Sequence, residues 1–165
     1  MIHHSNNENN TTMEKNIIDE LFSDILNEFK NSSGNFTFTL NDSLRKICNA
    51  PDNSCGVYIY TMEQEHKEVP IYIGCSGEII NGEPHPRYGG LKRRIYGKQE
   101  GIQRDIFYKE VMKKRGIGQL KVYWYDTGNK DPEFIEYQLI LKFILHYHEL
   151  PAYNKKLEKK SIYIP

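Results

Sequence analysis

The chain has 165 residues and a formal net charge of zero, with 22 acidic and 22 basic side chains. This length is enough for one domain with a buried core and a short appendage. A mean hydropathy of −0.68 and the lack of a run of about 18 apolar residues argue against a membrane span, and the first residues lack both halves of a signal peptide. We therefore expect a soluble, cytoplasmic protein without a membrane partner.

The balanced total conceals one strongly basic segment. Residues 85–121 carry 11 Lys and Arg against 3 Asp and Glu, a net charge of +8, and residues 155–165 carry 4 against 1, a net charge of +3. A concentrated basic surface attracts polyanions even on a neutral molecule, since salt screens charges more than about 8–10 Å away. These segments favour a nucleic-acid partner, while a solvated pair of charged helices is the structural alternative.

The first third of the chain predicts a tail and a helical extension. Residues 1–12 are rich in Asn and Thr, a composition typical of a disordered tail. Residues 13–53 form the N-terminal helical extension. It contains an amphipathic helix over 13–30, in which apolar residues recur every four positions and the outer face is acidic. A short strand is predicted at 36–39 and a short helix at 44–48.

The next two apolar runs, 55–60 and 69–74, flank a polar connection and predict a β-hairpin. Side chains alternate between the two faces of a sheet with a period of two. Tyr58 and Tyr72 are therefore expected on the same face. Residues 75–90 are rich in Gly and Pro and show no period, so they predict an irregular loop.

Two short helices are then predicted, over 91–99 and 105–115, followed by a strand at 120–125. The final helix begins at Pro132, a residue typical of the first turn, with Asp131 as its N-cap.

One carboxylate of this final helix lies in an apolar stripe. At about 100° per residue, Glu136 points in the same direction as Leu139 and Phe143. A carboxylate among apolar side chains is costly unless it is paired or bound to a cation. Glu136 is therefore either a buried partner of an arginine or tyrosine, or a metal ligand. Glu133 lies about 60° away on the helix and is the alternative ligand.

Five motifs, read in chain order, resemble those of the GIY-YIG nuclease superfamily. They are Gly56-Val57-Tyr58, Tyr72-Ile73-Gly74, Gly89-Gly90-Leu91-Lys92-Arg93-Arg94-Ile95, Glu136, and Pro151-Ala152-Tyr153-Asn154. Each motif is weak alone, but together they follow the predicted hairpin, helix and final helix in the family's order. The resemblance covers residues 54–156, which it implies are a GIY-YIG nuclease domain, and a basic tail follows at 157–165.

The resemblance implies an α/β fold of the α+β kind, with a small three-stranded antiparallel sheet flanked by helices. It also implies a metal-dependent DNA endonuclease, a phosphodiester hydrolase that uses one Mg²⁺ or Mn²⁺ per active site. We expect a stand-alone, restriction-type or phage-like enzyme. A homodimer, with the helix 13–30 as its interface, would let one site per chain cut both strands. The alternatives are a non-catalytic nucleic-acid-binding module of the same fold, and a DNA-repair or structure-specific nuclease.

Carried over position by position, the family's roles fall on five residues. Tyr58 and Tyr72 are the motif tyrosines, and Arg94 is the arginine that would contact a phosphate oxygen. Glu136 is the metal ligand, and Asn154 closes the motif. One of the two tyrosines would take the proton of the attacking water, provided that a nearby cation stabilises its deprotonated form. Which tyrosine does so stays open.

Some positions depart from the family pattern. Lys98 stands where members often carry His or Tyr, and Tyr96 is a substitute for that role. Arg93 is the alternative to Arg94 because the preceding loop is long, and we prefer Arg94 since an apolar residue follows it. Glu133 stays open as a metal ligand.

The predicted DNA contacts come from the basic segment, and sequence specificity is expected from the loop 75–90 and the N-terminal helix. The predicted DNA-binding residues are Arg87, Lys92, Arg93, Lys113, Lys114 and Arg115.

Overall fold

The computed structural model describes residues 16–155 and residue 157. The predicted tail over 1–12, the first three residues of the helix predicted at 13–30, and most of the basic tail over 157–165 lie outside the described residues. Within the described part of the chain, no helix is both long enough and apolar enough to cross a membrane.

Five α-helices and eight strands make up the described chain. The helices are α1 (Ile17–Leu26), α2 (Leu44–Ile47), α3 (Gly90–Tyr96), α4 (Arg104–Arg115) and α5 (Pro132–Tyr147), with a 3-10 helix, Asn27–Ser32, after α1. The strands are β1 (Ser33–Thr39), β2 (Gly56–Gln64), β3 (Lys67–Ser76), β4 (Glu78–Ile80), β5 (Glu83–His85), β6 (Lys98–Gln99), β7 (Ile102–Gln103) and β8 (Gln119–Asp126).

The main sheet has four antiparallel strands in the order β1-β8-β2-β3. The mixed α/β class is as predicted, but the prediction of three strands is wrong. The fourth strand is β1, in which buried Phe36 and Phe38 alternate with exposed Asn35 and Thr37. This alternation lets β1 bury one face while it pairs with β8, so the sheet gains a strand on that side.

Helices cover both faces of the sheet. Tyr58 and Tyr60 of β2 point to one side, where α3 and α4 pack, and we call this the tyrosine face. Val57 and Ile59 point to the opposite face, which α1 and α5 cover. The period-two assignment made from the sequence is therefore confirmed, and β2 contributes to both apolar cores.

The N-terminal helix is shorter than predicted. The side chain of Asn16 accepts a hydrogen bond from the Ile18 amide at 2.8 Å, which caps α1. The α-helical part ends at Leu26, and the tighter 3-10 helix carries buried Phe29 onto the core before β1 begins. The apolar side of α1 packs against α5, and Lys142 pairs with Asp24 at 2.6 Å on the outside.

The segment 75–90, predicted as an irregular loop, contains the hairpin β4–β5. Asn81 and Gly82 connect its strands with φ of 53° and 78°. Positive φ at both central residues is what a two-residue type I′ turn requires, and Asn-Gly is the preferred sequence for it. The loop prediction is therefore wrong in part, and the Asn-Gly pair was the signal for the hairpin.

The final helix is confirmed. It begins at Pro132, and the Asp131 carboxylate accepts hydrogen bonds from the amides of Glu133 and Phe134 at 2.9 and 3.4 Å. This cap satisfies backbone donors that have no partner inside the helix.

Gly56 occupies a position where β2 and β8 approach closely. A Cβ there would lie 2.1 Å from the carbonyl oxygen of Tyr125 and 3.0 Å from the Leu91 side chain. We expect Gly56→Ala to lower the free energy of unfolding by at least about 1–3 kcal/mol, because a paired backbone carbonyl cannot move away cheaply. Chemical denaturation measures the change.

Gly118→Ala is the matched control. A Cβ at Gly118 would meet no atom within 4 Å, so a change of no more than about 0.5 kcal/mol is expected. A Gly56→Ala protein as stable as the wild type would contradict the pairing of β2 with β8.

Candidate functional site

The predicted site residues come from elements that meet at the strand β3. This strand is at one edge of the sheet, and both α3 and α5 contact it. Tyr72 lies on β3 itself, Arg94 on α3 and Glu136 on α5. Because α3 packs on the tyrosine face and α5 on the opposite face, Arg94 and Glu136 approach β3 from its two sides.

The two motif tyrosines are neighbours on the tyrosine face. The ring centroids of Tyr58 and Tyr72 are 6.1 Å apart. Tyr58 pairs with Gly74 in the β2–β3 register, and a Cβ at Gly74 would lie 2.5 Å from the Tyr58 hydroxyl oxygen. The glycine of the second motif therefore leaves room for the tyrosine of the first.

The surroundings of the two tyrosines differ. Tyr58 is fully buried, and its hydroxyl has no hydrogen-bond partner among the residues that the structure describes. Burial raises the pKa of Tyr58, although Arg104 and Arg94 act in the opposite direction. Tyr72 is only half-buried. Of the two, Tyr72 is therefore the tyrosine whose side chain reaches the solvent.

The sequence analysis did not identify Arg104, whose guanidinium lies against the rings of both tyrosines. Its guanidinium carbon lies 5.4 Å from the ring centroid of Tyr58 and 5.1 Å from that of Tyr72. One nitrogen donates to the Tyr72 hydroxyl at 3.2 Å, Nε donates to Gln99 Oε1 at 3.1 Å, and the third nitrogen donates to the Arg94 carbonyl. Only 2% of Arg104 is exposed.

A weak signal for Arg104 was present in the sequence. The residue is the first of α4, and a cation at a helix N-terminus is disfavoured by the helix dipole. That position indicates that the side chain has partners elsewhere in the fold. Nothing in the hydrophobic period marks it, because it precedes the apolar stripe of the helix.

The side chain of Arg94 is exposed, and it acts on two groups of the site. It is among the charges that act on the hydroxyl of Tyr58 and on the thiol of Cys75. Arg93 instead stacks on Tyr88, with 4.8 Å between its guanidinium carbon and the ring centroid. The geometry therefore favours the register in which Arg94 is the site arginine.

Cys75 of β3 connects the site to α5. Its thiol is hydrogen-bonded to the Glu136 carboxylate. Burial raises the pKa of the Cys75 thiol, and the negative charges of Glu136 and Glu133 raise it further, while Arg94 opposes them. Glu136 and Glu133 both act on the Cys75 thiol, so both carboxylates lie near the same part of β3.

The carboxylates have the donor chemistry for a hard divalent cation. Mg²⁺ is usually held by one or two carboxylates together with water and substrate phosphate, so Glu136, with Glu133 beside it, fits this ion. A group of three or more His, Cys, Asp or Glu side chains arranged to hold a metal is not found in the described ranges. A one-carboxylate or two-carboxylate site does not require such a group.

Asn154 lies at the edge of β3 and has a structural role. Its side-chain oxygen accepts from the Ile73 amide and its side-chain nitrogen donates to the Ile73 carbonyl, both at 2.9 Å. The Tyr153 amide donates to the Ile71 carbonyl, also at 2.9 Å. The C-terminal segment therefore pairs with the free edge of β3 much as another strand would.

The other two predicted supporting residues are Tyr96 and Lys98, and no hydrogen bond joins either side chain to the tyrosine pair among the described residues. Tyr96 packs under Arg45 of α2, with 5.5 Å between the guanidinium carbon and the ring centroid. Lys98 is exposed on the two-residue strand β6.

The predicted DNA-binding residues form two groups on the surface. Arg87, Lys92 and Arg93 lie in and before α3, where Arg87 is 3.9 Å from Glu78 of the hairpin. Lys113, Lys114 and Arg115 form the last turn of α4. All six are exposed except Lys92, which is half-buried.

Comparison with known proteins gives no relative for the chain. No protein-family model, no curated protein and no solved structure matches it. The inference of a function therefore rests on the motifs and on the geometry of the site.

The hydroxyl groups of two adjacent tyrosines allow a matched test of the core. Tyr60 donates to the Ile95 carbonyl at 2.6 Å, whereas the Tyr58 hydroxyl has no partner in the described chain. We expect Tyr60→Phe to cost about 1–2 kcal/mol of stability, because it leaves a buried carbonyl unsatisfied. Tyr58→Phe is expected to be neutral or stabilising by up to about 1 kcal/mol. Equal losses of unfolding free energy in urea denaturation would contradict the difference between the two hydroxyl groups.

The same core predicts a loss of stability at alkaline pH. Burial raises the pKa of Tyr58, Tyr60 and Tyr108. Above about pH 10 an unfolded chain releases tyrosine protons that the folded protein keeps, so the free energy of unfolding falls as pH rises. The expected slope is up to about 1.4 kcal/mol per pH unit for each buried tyrosine. Denaturation curves between about pH 8 and pH 11 measure it, and Tyr58→Phe should reduce the slope.

Proposed function

We propose that the protein is a metal-dependent endonuclease that hydrolyses phosphodiester bonds in DNA. The observation that carries the proposal is the convergence of three groups on the edge strand β3. Tyr72 belongs to the strand, Arg94 acts on Tyr58 and Cys75 from α3, and Glu136 of α5 raises the pKa of the Cys75 thiol by its charge and by a hydrogen bond. A proton acceptor, a phosphate-binding cation and a carboxylate are the side chains that phosphodiester hydrolysis requires.

Each group has a role that its chemistry allows. Tyr72 would accept the proton of the water that attacks phosphorus, and the P–O bond to the departing oxygen would break. Arg94 would hold a non-bridging phosphate oxygen with its fork of donors. Glu136, with Glu133 as the second carboxylate, would hold Mg²⁺ or Mn²⁺. When bound, the metal would stabilise negative charge on the phosphate and on the leaving oxygen.

The surface around these groups suits a polyanion. The net charge of +8 over residues 85–121 includes Arg87 and Arg93 beside the site and the last turn of α4. The exposed hairpin β4–β5 follows directly after β3 and carries Ile79 and Ile80 with more than two fifths of their surface exposed. We assign recognition of the DNA sequence to this hairpin, because it is largely exposed and follows β3, the strand of Tyr72, directly in the chain.

A nucleic-acid-binding module without catalysis is the second candidate. The observation that favours it is the burial of Tyr58, since one of the two motif tyrosines is then out of reach of water. A structure-specific or repair nuclease differs from the restriction-type enzyme only in its substrate. Branched and flap DNA, offered beside linear duplex and plasmid, separate these two kinds of nuclease.

A nicking assay on supercoiled plasmid with Mg²⁺ or Mn²⁺ tests the proposal. The wild type should produce nicked and then linear DNA, and a chelator should abolish cutting. Glu136→Gln and Arg94→Gln should each lower the rate by about 100-fold or more, since each removes charge stabilisation at the phosphate. Linear product without a nicked intermediate would indicate two cooperating sites, as in a homodimer.

Glu149→Gln is the control, because it removes an exposed carboxylate beyond the end of α5 and should cut like the wild type. Glu133→Gln measures how much the second carboxylate contributes to the cleavage rate. DNA binding is followed in parallel by gel shift. Wild-type protein that binds DNA and does not cut with either metal would overturn the enzyme in favour of the binding module, and protein that does neither would overturn both.

A further inference from the structure

We propose that Arg104 is a positioning residue that makes Tyr72, rather than Tyr58, the proton acceptor of the site. This inference rests on the proposed nuclease function for its catalytic meaning, while its structural part can be tested without any cleavage. The guanidinium of Arg104 lies against the rings of both Tyr58 and Tyr72, and it donates a hydrogen bond to the Tyr72 hydroxyl.

Arg104 is a buried cation that has no carboxylate partner among the described residues. Its three hydrogen-bond acceptors are the Gln99 side chain, the Arg94 carbonyl and the Tyr72 hydroxyl, which are all neutral in the resting protein. Arg104 takes part in none of the five salt bridges found among the described residues. A buried charge is costly unless it is compensated. A negative charge on Tyr72 would provide that compensation at a distance of one hydrogen bond.

The other tyrosines around Arg104 are unsuited to this role. Tyr58 is fully buried and receives no hydrogen bond from the described residues. Tyr60 donates its proton to the Ile95 carbonyl, and Tyr108 is buried beneath the ring of Tyr60 at a centroid distance of 4.3 Å. Tyr72 alone combines a hydrogen bond from Arg104 with a partly exposed side chain.

Arg104 also connects the proton acceptor to the phosphate-binding arginine. One guanidinium nitrogen donates to the Arg94 carbonyl, and the Arg104 amide donates to the Gly97 carbonyl at 2.8 Å. These bonds hold the C-terminal turn of α3, where Arg94 lies, against the start of α4. The same guanidinium therefore holds Tyr72 and the backbone of Arg94 at a fixed separation, which is the kind of positioning that oriented catalysis depends on.

Arg104→Gln removes the charge and keeps a polar planar group. A cationic donor favours the deprotonated form of its phenol partner, so its loss should move the rising limb of the pH profile of cleavage upward by about one pH unit. Cleavage at neutral pH should fall about tenfold and recover at higher pH, while DNA affinity stays unchanged. Arg104→Lys keeps the charge but not the forked donors of the guanidinium, so its cleavage rate and pH profile should lie between those of the wild type and of Arg104→Gln.

Gln99→Glu tests the same idea in a chain that keeps Arg104. Gln99 accepts from Arg104 Nε, so a carboxylate of the same shape would neutralise the cation in place. It should move the pH profile in the same direction as Arg104→Gln. The substitution also removes the donor from Gln99 Nε2 to the Tyr153 carbonyl at 3.1 Å, so circular dichroism and thermal denaturation check that the variant is folded. Arg45→Gln is the control, because Arg45 also stacks on a tyrosine ring, that of Tyr96. The pH profile of cleavage by this variant should match that of the wild type.

Tyrosine NMR provides a readout that needs no activity. In protein labelled with ¹³C at tyrosine Cζ, the Tyr72 signal is assigned with Tyr72→Phe, and its chemical shift is compared between variants at one pH. Arg104→Gln and Gln99→Glu should both move the Tyr72 signal, because each weakens the cationic hydrogen bond to its hydroxyl, whereas Arg45→Gln should leave it unchanged. If the plasmid is not cut but these changes occur, the nuclease proposal fails and the assignment of Arg104 stands. If folded Gln99→Glu leaves the Tyr72 signal where the wild type has it, Arg104 only supports the fold and the inference is overturned.

Discussion

The buried guanidinium of Arg104 connects three elements of this fold by hydrogen bonds. Its hydrogen bonds reach β3 through Tyr72, the end of α3 through the Arg94 carbonyl, and β6 through Gln99. An arginine removed from water loses several kcal/mol of solvation unless its donors are satisfied. Each of these three elements must therefore keep its place, and the relation between the tyrosine face and α3 follows from that requirement.

The open edge of β3 imposes the second constraint. An edge strand presents unpaired amides and carbonyls that natural proteins cover or block. Here Asn154 and the Tyr153 amide pair with β3 at Ile73 and Ile71. The strand continues past this covered stretch to Cys75, which Glu136 and Arg94 influence from opposite sides. The C-terminal segment therefore covers the backbone edge on both sides of Tyr72, while Cys75 lies beyond the covered stretch.

Much of this arrangement could be predicted from local pattern. Alternation placed Tyr58 and Tyr72 on one face, and Asp131 with Pro132 marked the start of α5, because these signals involve neighbours in the chain. The strand count was wrong because β1 pairs with β8, and paired residues of the two strands such as Ser33 and Tyr125 are far apart in the chain. Arg104 was missed because its partners at Tyr72 and Arg94 lie in other elements, and no periodic pattern records such contacts.

The sequence by itself determined the mixed α/β class, the faces of the central hairpin, and the motif residues on which the proposed nuclease function rests. Only the tertiary structure decided which tyrosine is buried, which arginine approaches the site, and where the charge of Arg104 lies. The physical reason is that periodicity and capping are properties of adjacent residues, whereas burial and electrostatic environment depend on elements far apart in the chain.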